Sequence, residues 1–189
     1  MKKRTGRERT GTPVTRLAAL TAAFVLGAAL GSLLMGRASG TAALLVEGLL
    51  GSPRGGAARQ LLWYDLALLL LIFAAGFVRA APLLCAAALA LKGLLLSLTV
   101  TACVGALGGP GWGAAFALVF GSGFLGVAAM LLLALQALQP CGRRLRGHSR
   151  PDGCYFLTAG LCAAILGASE LVFLYLAPPL ARAAVALFD

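Results

Sequence analysis

Three ionisable residues stand inside otherwise apolar runs: Asp65, Lys92 and Glu170. A charge near the centre of a bilayer costs about 2.5–3.5 kcal/mol on insertion scales, so each of them asks for a partner or a task. Two carboxyls and an ammonium offer two kinds of chemistry. They can form an intramembrane ion pair that fixes helix packing, or a relay of the sort a transporter uses. The bland alternative is that Asp65 reaches the interface and Lys92 snorkels to it. From residue types alone all three readings stay open.

Other chemistry is scarce. Cys85, Cys103, Cys141, Cys154 and Cys162 form no CxxC pair and share no metal-ligand spacing with the single His148. Thiols scattered through apolar runs behave as small hydrophobes. His148 stands among arginines, where a solvated surface residue is expected. No nucleophile–base pair or phosphate loop is present, so the expectation is a non-enzyme with no cofactor and no metal. Small residues carry a different signal. Gly27-Ala28-Ala29-Leu30-Gly31 is a GxxxG, a spacing that lets two helix backbones approach closely, and Gly121-Ser122-Gly123 with Gly126 forms a similar face. Ser97, Thr99 and Thr101 lie in one apolar run, where hydroxyls commonly bond back to their own helix.

The elements that position these residues follow from hydropathy. Sixty per cent of the chain is apolar and 12% charged, against roughly half and about a quarter for soluble domains. Spans are expected at about 17–35, 61–78, 83–107, 112–138 and 154–176, each long enough for a hydrocarbon core of about 30 Å. The first is too long for the usual signal-peptide core of about 7–15 residues, so a retained helix is expected. Thr41 to Leu50 suits a short interfacial helix. Arg79 and Pro82 mark a tight turn, and Gly108-Gly109-Pro110-Gly111 marks another. Glycines 121, 123 and 126 give the fourth span a place to bend. Pro178-Pro179 is expected to end the fifth, with a short surface helix beyond it.

Orientation follows from charge. The net charge of +10 sits in short segments beside apolar runs, with no nucleic-acid-binding pattern among them. Topology and anionic lipid headgroups explain it better than nucleic acid does. With the amino terminus inside, a basic cytoplasmic tail (residues 1–16), the turn at Arg79 and the loop 140–153 hold eleven Lys and Arg. Arg37, Arg54, Arg59 and Arg182 face outside. The fold class is therefore all-α: a polytopic bundle of five transmembrane helices forming one domain over 17–189, with the carboxyl terminus outside. At 1.5 Å per residue, Lys92 lies about 14–16 Å from the cytoplasmic end of its helix. Glu170 lies about 24 Å along an outgoing helix, and Asp65 about 6 Å from the outer end of an ingoing one.

The ordering of features is similar to a known family. A basic amino terminus precedes Phe24-Val25-Leu26-Gly27-Ala28-Ala29-Leu30-Gly31-Ser32. Pro82 is followed by Leu89-Ala90-Leu91-Lys92-Gly93-Leu94, and Ser169-Glu170 by Ala177-Pro178-Pro179-Leu180. Over nearly its whole length the chain resembles the stage II sporulation protein M family of bacterial five-span membrane proteins. Many of those relatives carry a proline and polar or acidic residues in mid-span four. Here Gly121-Ser122-Gly123 stands there, so no role of that polar site is carried over. The resemblance implies a non-enzymatic scaffold in the mother-cell membrane at the sporulation septum. It would anchor membrane-bound peptidoglycan hydrolases resembling stage II sporulation proteins P and D during engulfment. Gly27, Gly31, Lys92, Gly93 and Glu170 are the expected packing or partner residues, with Asp65 as a charge partner and the outer segment 36–60 adding contacts. The alternative is a small transporter or permease component.

Overall fold

The computed structural model describes residues 13–37, 56–78, 80–109, 111–144 and 153–186. These are helical throughout apart from two turns, with no strand among the described residues. In chain order they form α1 (Pro13–Arg37), α2 (Gly56–Ala75), α3 (Ala81–Leu107), α4 (Gly111–Val119), a π-helical turn (Phe120–Leu125), α5 (Gly126–Arg144) and α6 (Gly153–Ala186). Helix is the expected outcome for such sequence. Where water is scarce every backbone N–H and C=O must be satisfied within the segment, and a helix does this without a neighbour.

Three stretches are long and apolar enough to cross a membrane: Pro13–Gly36, Ala81–Leu107 and Gly153–Leu171. Two shorter apolar helices, Trp63–Ala75 and Gly123–Leu138, lie on the other two paths. The helix of the expected second span is displaced towards the amino terminus. It starts at Gly56, but Arg59 and Gln60 keep the first turn polar, and it stops at Ala75. The expected fourth span is a continuous helical path in three pieces. Its π turn falls on Gly121 and Gly123, where the absence of a Cβ makes the wider turn inexpensive.

The turns obey local chemistry. After α2, the N–H groups of Gly76, Phe77 and Val78 donate to Phe73, Ala74 and Ala75, a tightened last turn. Pro82 lies in the first turn of α3, where a missing N–H costs nothing. Gly108 then caps α3 with φ +64°, a conformation that favours glycine, and its N–H donates to Val104. One expectation fails outright: Pro178-Pro179 does not end the last helix, which continues to Ala186. The two prolines remove the donors that would meet the carbonyls of Leu174 and Tyr175, yet their φ suits a helix. Such prolines are tolerated in apolar helices when the flanking turns hold.

Contacts fix the directions. Gly27 of α1 lies against Ala90 of α3, and Gly31 against Leu94 and Ser97, so α1 and α3 run parallel. Gly126 at the start of α5 faces Leu166 and Ser169 late in the apolar part of α6, so α5 and α6 run antiparallel. Arg16 at the start of α1 donates to the carbonyl of Leu138 near the end of α5 at 3.3 Å. Tyr155 at the start of α6 donates to that of Phe73 near the end of α2 at 2.7 Å. One end of the bundle therefore gathers the starts of α1, α3 and α6 and the ends of α2 and α5.

Apolar side chains fill the interior and cover the surface as well. Leu20, Ile72, Leu89, Met130, Leu133 and Leu166 make the core. Leu26, Leu83, Phe116, Phe124, Leu157 and Leu161 are each more than half exposed. Contiguous apolar surface of this kind is rare on soluble monomers and natural where lipid is the solvent. Trp63, Tyr64, Trp112 and Tyr175 are exposed towards the opposite end from Tyr155, at the level where amphipathic aromatics collect in membrane proteins.

Candidate functional site

Each charge reaches the interior on the face of its helix that packs against the neighbouring helices. On α2, Asp65 shares a face with Leu68, Leu69 and Ile72, and on α3 Lys92 shares one with Cys85, Ala88 and Leu89. On α6, Cys162, Leu166, Ser169 and Glu170 form the inward stripe. Each charge therefore lies in line with the residues of its helix that packing buries. Asp65 and Lys92 are each 1% exposed and Glu170 is 4% exposed.

The three meet. Lys92 Nζ donates to Asp65 Oδ2 in a short, buried ion pair. Glu170 lies beside them, within hydrogen-bonding reach of Asp65 and in the field of Lys92. Asp65 Oδ1 and Glu170 Oε1 are buried and have no hydrogen-bond partner. Ser169, next to Glu170 and fully buried, donates instead to the carbonyl of Leu166 at 2.8 Å. The reading in which Lys92 snorkels to the surface is not the arrangement found.

The glycines set how close α1 and α3 stand. A Cβ at Gly27 would land on the backbone of Ala90, and one at Gly93 on the carbonyl of Phe24. A Cβ at Gly31 would stand 3.1 Å from Leu94 Cα and from Ser97 Cβ. The GxxxG of α1 is thus occupied within the chain, and Gly93 is its counterpart on α3. Because Gly93 turns towards α1, its neighbour Lys92, about 100° further round the helix, turns towards α2. The hydroxyls nearby serve their own helix: Thr99 donates to Leu95 at 3.0 Å and Thr101 to Ser97 at 2.8 Å.

Sequence reading missed the aromatic knot at the end of the bundle. Tyr155 stacks on Phe73 with ring centroids 5.5 Å apart, and Phe77 and Phe156 pack edge-on to Phe73. The Phe73 carbonyl belongs to the last turn of α2 and accepts from both Gly76 N–H and Tyr155 Oη. Gly76 leaves room for this bond, since a Cβ there would meet the tyrosine hydroxyl and push it aside. A polar-tipped aromatic immediately after a basic loop was the available signal.

A separate cavity of about 760 Å³ lies between α3 and the α4–α5 path, lined by Phe24, Leu96, Val100, Trp112, Phe116 and Phe124 among others. Its walls are almost wholly apolar, and none of the three charged residues lines it. Cys85, Cys103, Cys154 and Cys162 form no disulfide, and no metal-binding group of His, Cys, Asp or Glu occurs among the described residues. Cys141 falls in the last turn of α5, whereas His148, Thr41–Leu50 and most of the outer segment 36–60 lie outside the described residues. Compared with known proteins, the chain matches no family model, no curated protein and no solved structure. In chemical terms the cluster can clamp three helices together and can hold or release a proton.

Proposed function

We infer that the chain is a multi-pass protein of the cell membrane with five spans, a cytoplasmic amino terminus and an external carboxyl terminus. It acts as a non-enzymatic scaffold of the stage II sporulation protein M kind. Its task is to anchor peptidoglycan-remodelling proteins resembling stage II sporulation proteins P and D in the mother-cell membrane at the septum. The observation that carries this reading is a convergence. The residues bearing the resemblance are Gly27, Gly31, Lys92-Gly93 and Ser169-Glu170. They meet in and around one core made by α1, α2, α3 and α6. A bundle tied at its centre leaves its outer faces, such as that of Leu26, Leu30 and Leu33 on α1, for lipid and for lateral helix contacts.

The test is affinity purification of the tagged, solubilised full chain from cells undergoing engulfment. Recovery of a membrane-anchored peptidoglycan hydrolase, reduced by Lys92→Met, is the expected result. Absence of any wall-remodelling protein from the purified material overturns the reading. The unpartnered carboxylate oxygens favour a second one, a small transporter. That protein would show substrate flux in proteoliposomes, abolished by Glu170→Gln.

A further inference from the structure

The cluster does not balance as a set of ordinary ions. One ammonium faces two carboxyls, so with every group ionised the site holds a net negative charge among buried side chains. Asp65 Oδ2 is taken by Lys92 Nζ, while Asp65 Oδ1 and Glu170 Oε1 face no donor. An ionised carboxylate only accepts, so two of them within reach of each other have nothing to bond with. Placing a hydrogen on one oxygen converts two facing acceptors into a donor and an acceptor. The same hydrogen brings the cluster to neutrality. Among the described residues, the charged groups acting on Glu170 are Asp65 from α2 and Lys92 from α3.

We propose that Asp65 and Glu170 form a one-proton site beside Lys92, a carboxylic acid–carboxylate pair that binds a single proton between α2 and α6. A metal ion does not suit the place. Hard cations take about six or more oxygen ligands. Here two carboxylate oxygens are free, and the nearby Ser169 hydroxyl is committed to Leu166. Two carboxyls sharing a site and a proton is a recurring arrangement, because like charges a few ångströms apart do not both ionise. The proton also ties helix packing to its own retention. When α6 parts from α2 and water enters, the second carboxyl ionises and the closed arrangement loses its balance. This holds whatever partner the bundle recruits.

Infrared difference spectroscopy on the purified full chain in phosphatidylcholine bilayers tests it. At neutral pH the wild-type protein should show the carbonyl stretch of one protonated carboxylic acid, unchanged when sodium is replaced by potassium. Glu170→Gln should remove that band. Asp65→Asn should remove it too, because Glu170 is then left ionised as the sole carboxyl opposite Lys92. Absence of an acid band in the wild-type protein overturns the proposal, and this measurement needs no variant to fold. An acid band that survives Asp65→Asn also overturns it, since the proton would then belong to Glu170 alone. So does a band that sodium abolishes, which would assign the pair to a cation.

Discussion

Lys92 is the residue on which the interior depends most. Its side chain is among the largest fully buried ones, and its ammonium is the cation opposite both Asp65 and Glu170. Removing one partner of a buried pair leaves an uncompensated charge, worth about 3–5 kcal/mol. Lys92→Met should therefore destabilise the bundle by about that amount. Glu170→Gln should cost least. Its amide N–H can donate to Asp65 Oδ1, which a carboxylate cannot do. Asp65→Asn should fall between, since Glu170 remains to face the ammonium. Unfolding of the three variants by denaturant in bicelles, followed by circular dichroism, checks the order. Equal losses for Lys92→Met and Glu170→Gln would show that the cluster does not act as a charge-balanced unit.

At the scale of elements, the contact between α1 and α3 is the most extensive among the described residues. It rests on backbone meeting backbone at Gly27 and Gly93. Backbone does not yield as a flexible side chain does, so an added methyl must push the helices apart. Gly27→Ala is expected to cost about 1–3 kcal/mol, the range for overpacking a well-filled interior. Gly36 lies on the same helix with nothing near the position of its Cβ. Gly36→Ala should be neutral or stabilising by up to about 1 kcal/mol through helix propensity alone. Thermal unfolding of the two variants in detergent separates a packing effect from a general effect of glycine replacement, and a Gly27→Ala protein as stable as wild type would refute the close approach.

The whole molecule is a set of alternating helical paths whose apolar surface faces outward and whose charges face inward. This arrangement is compatible with a multi-pass membrane protein, and the topology proposed above puts the starts of α1, α3 and α6 on the cytoplasmic side. An alkaline phosphatase joined after Asp189 should be active, as that enzyme is when exported. A fluorescent protein joined before Met1 should fluoresce. Inactive phosphatase at the carboxyl terminus would mean an even number of crossings and would overturn the five-span topology.

Composition alone pointed to long apolar helices, because apolar runs of this length have few other ways to satisfy their backbone away from water. Local chemistry made Gly108 and Pro82 readable, since a turn after α3 and a first-turn proline depend on neighbours in sequence. The three charges were conspicuous for the same reason: each contrasts with its own surroundings. What stayed illegible was who meets whom. Helices such as α3 and α6 are apolar nearly all round, so their periodicity points to no particular face. The pairing of Lys92 with Asp65, the use of Gly27 and Gly31 against α3, and the Tyr155 bond to Phe73 each join residues far apart in the chain. The proline pair at 178–179 misled for a related reason. A breaker is judged from local cost, but the length of α6 depends on turns either side that still close. The residues were chosen by the sequence, and their partners by the packing of one helix against the next.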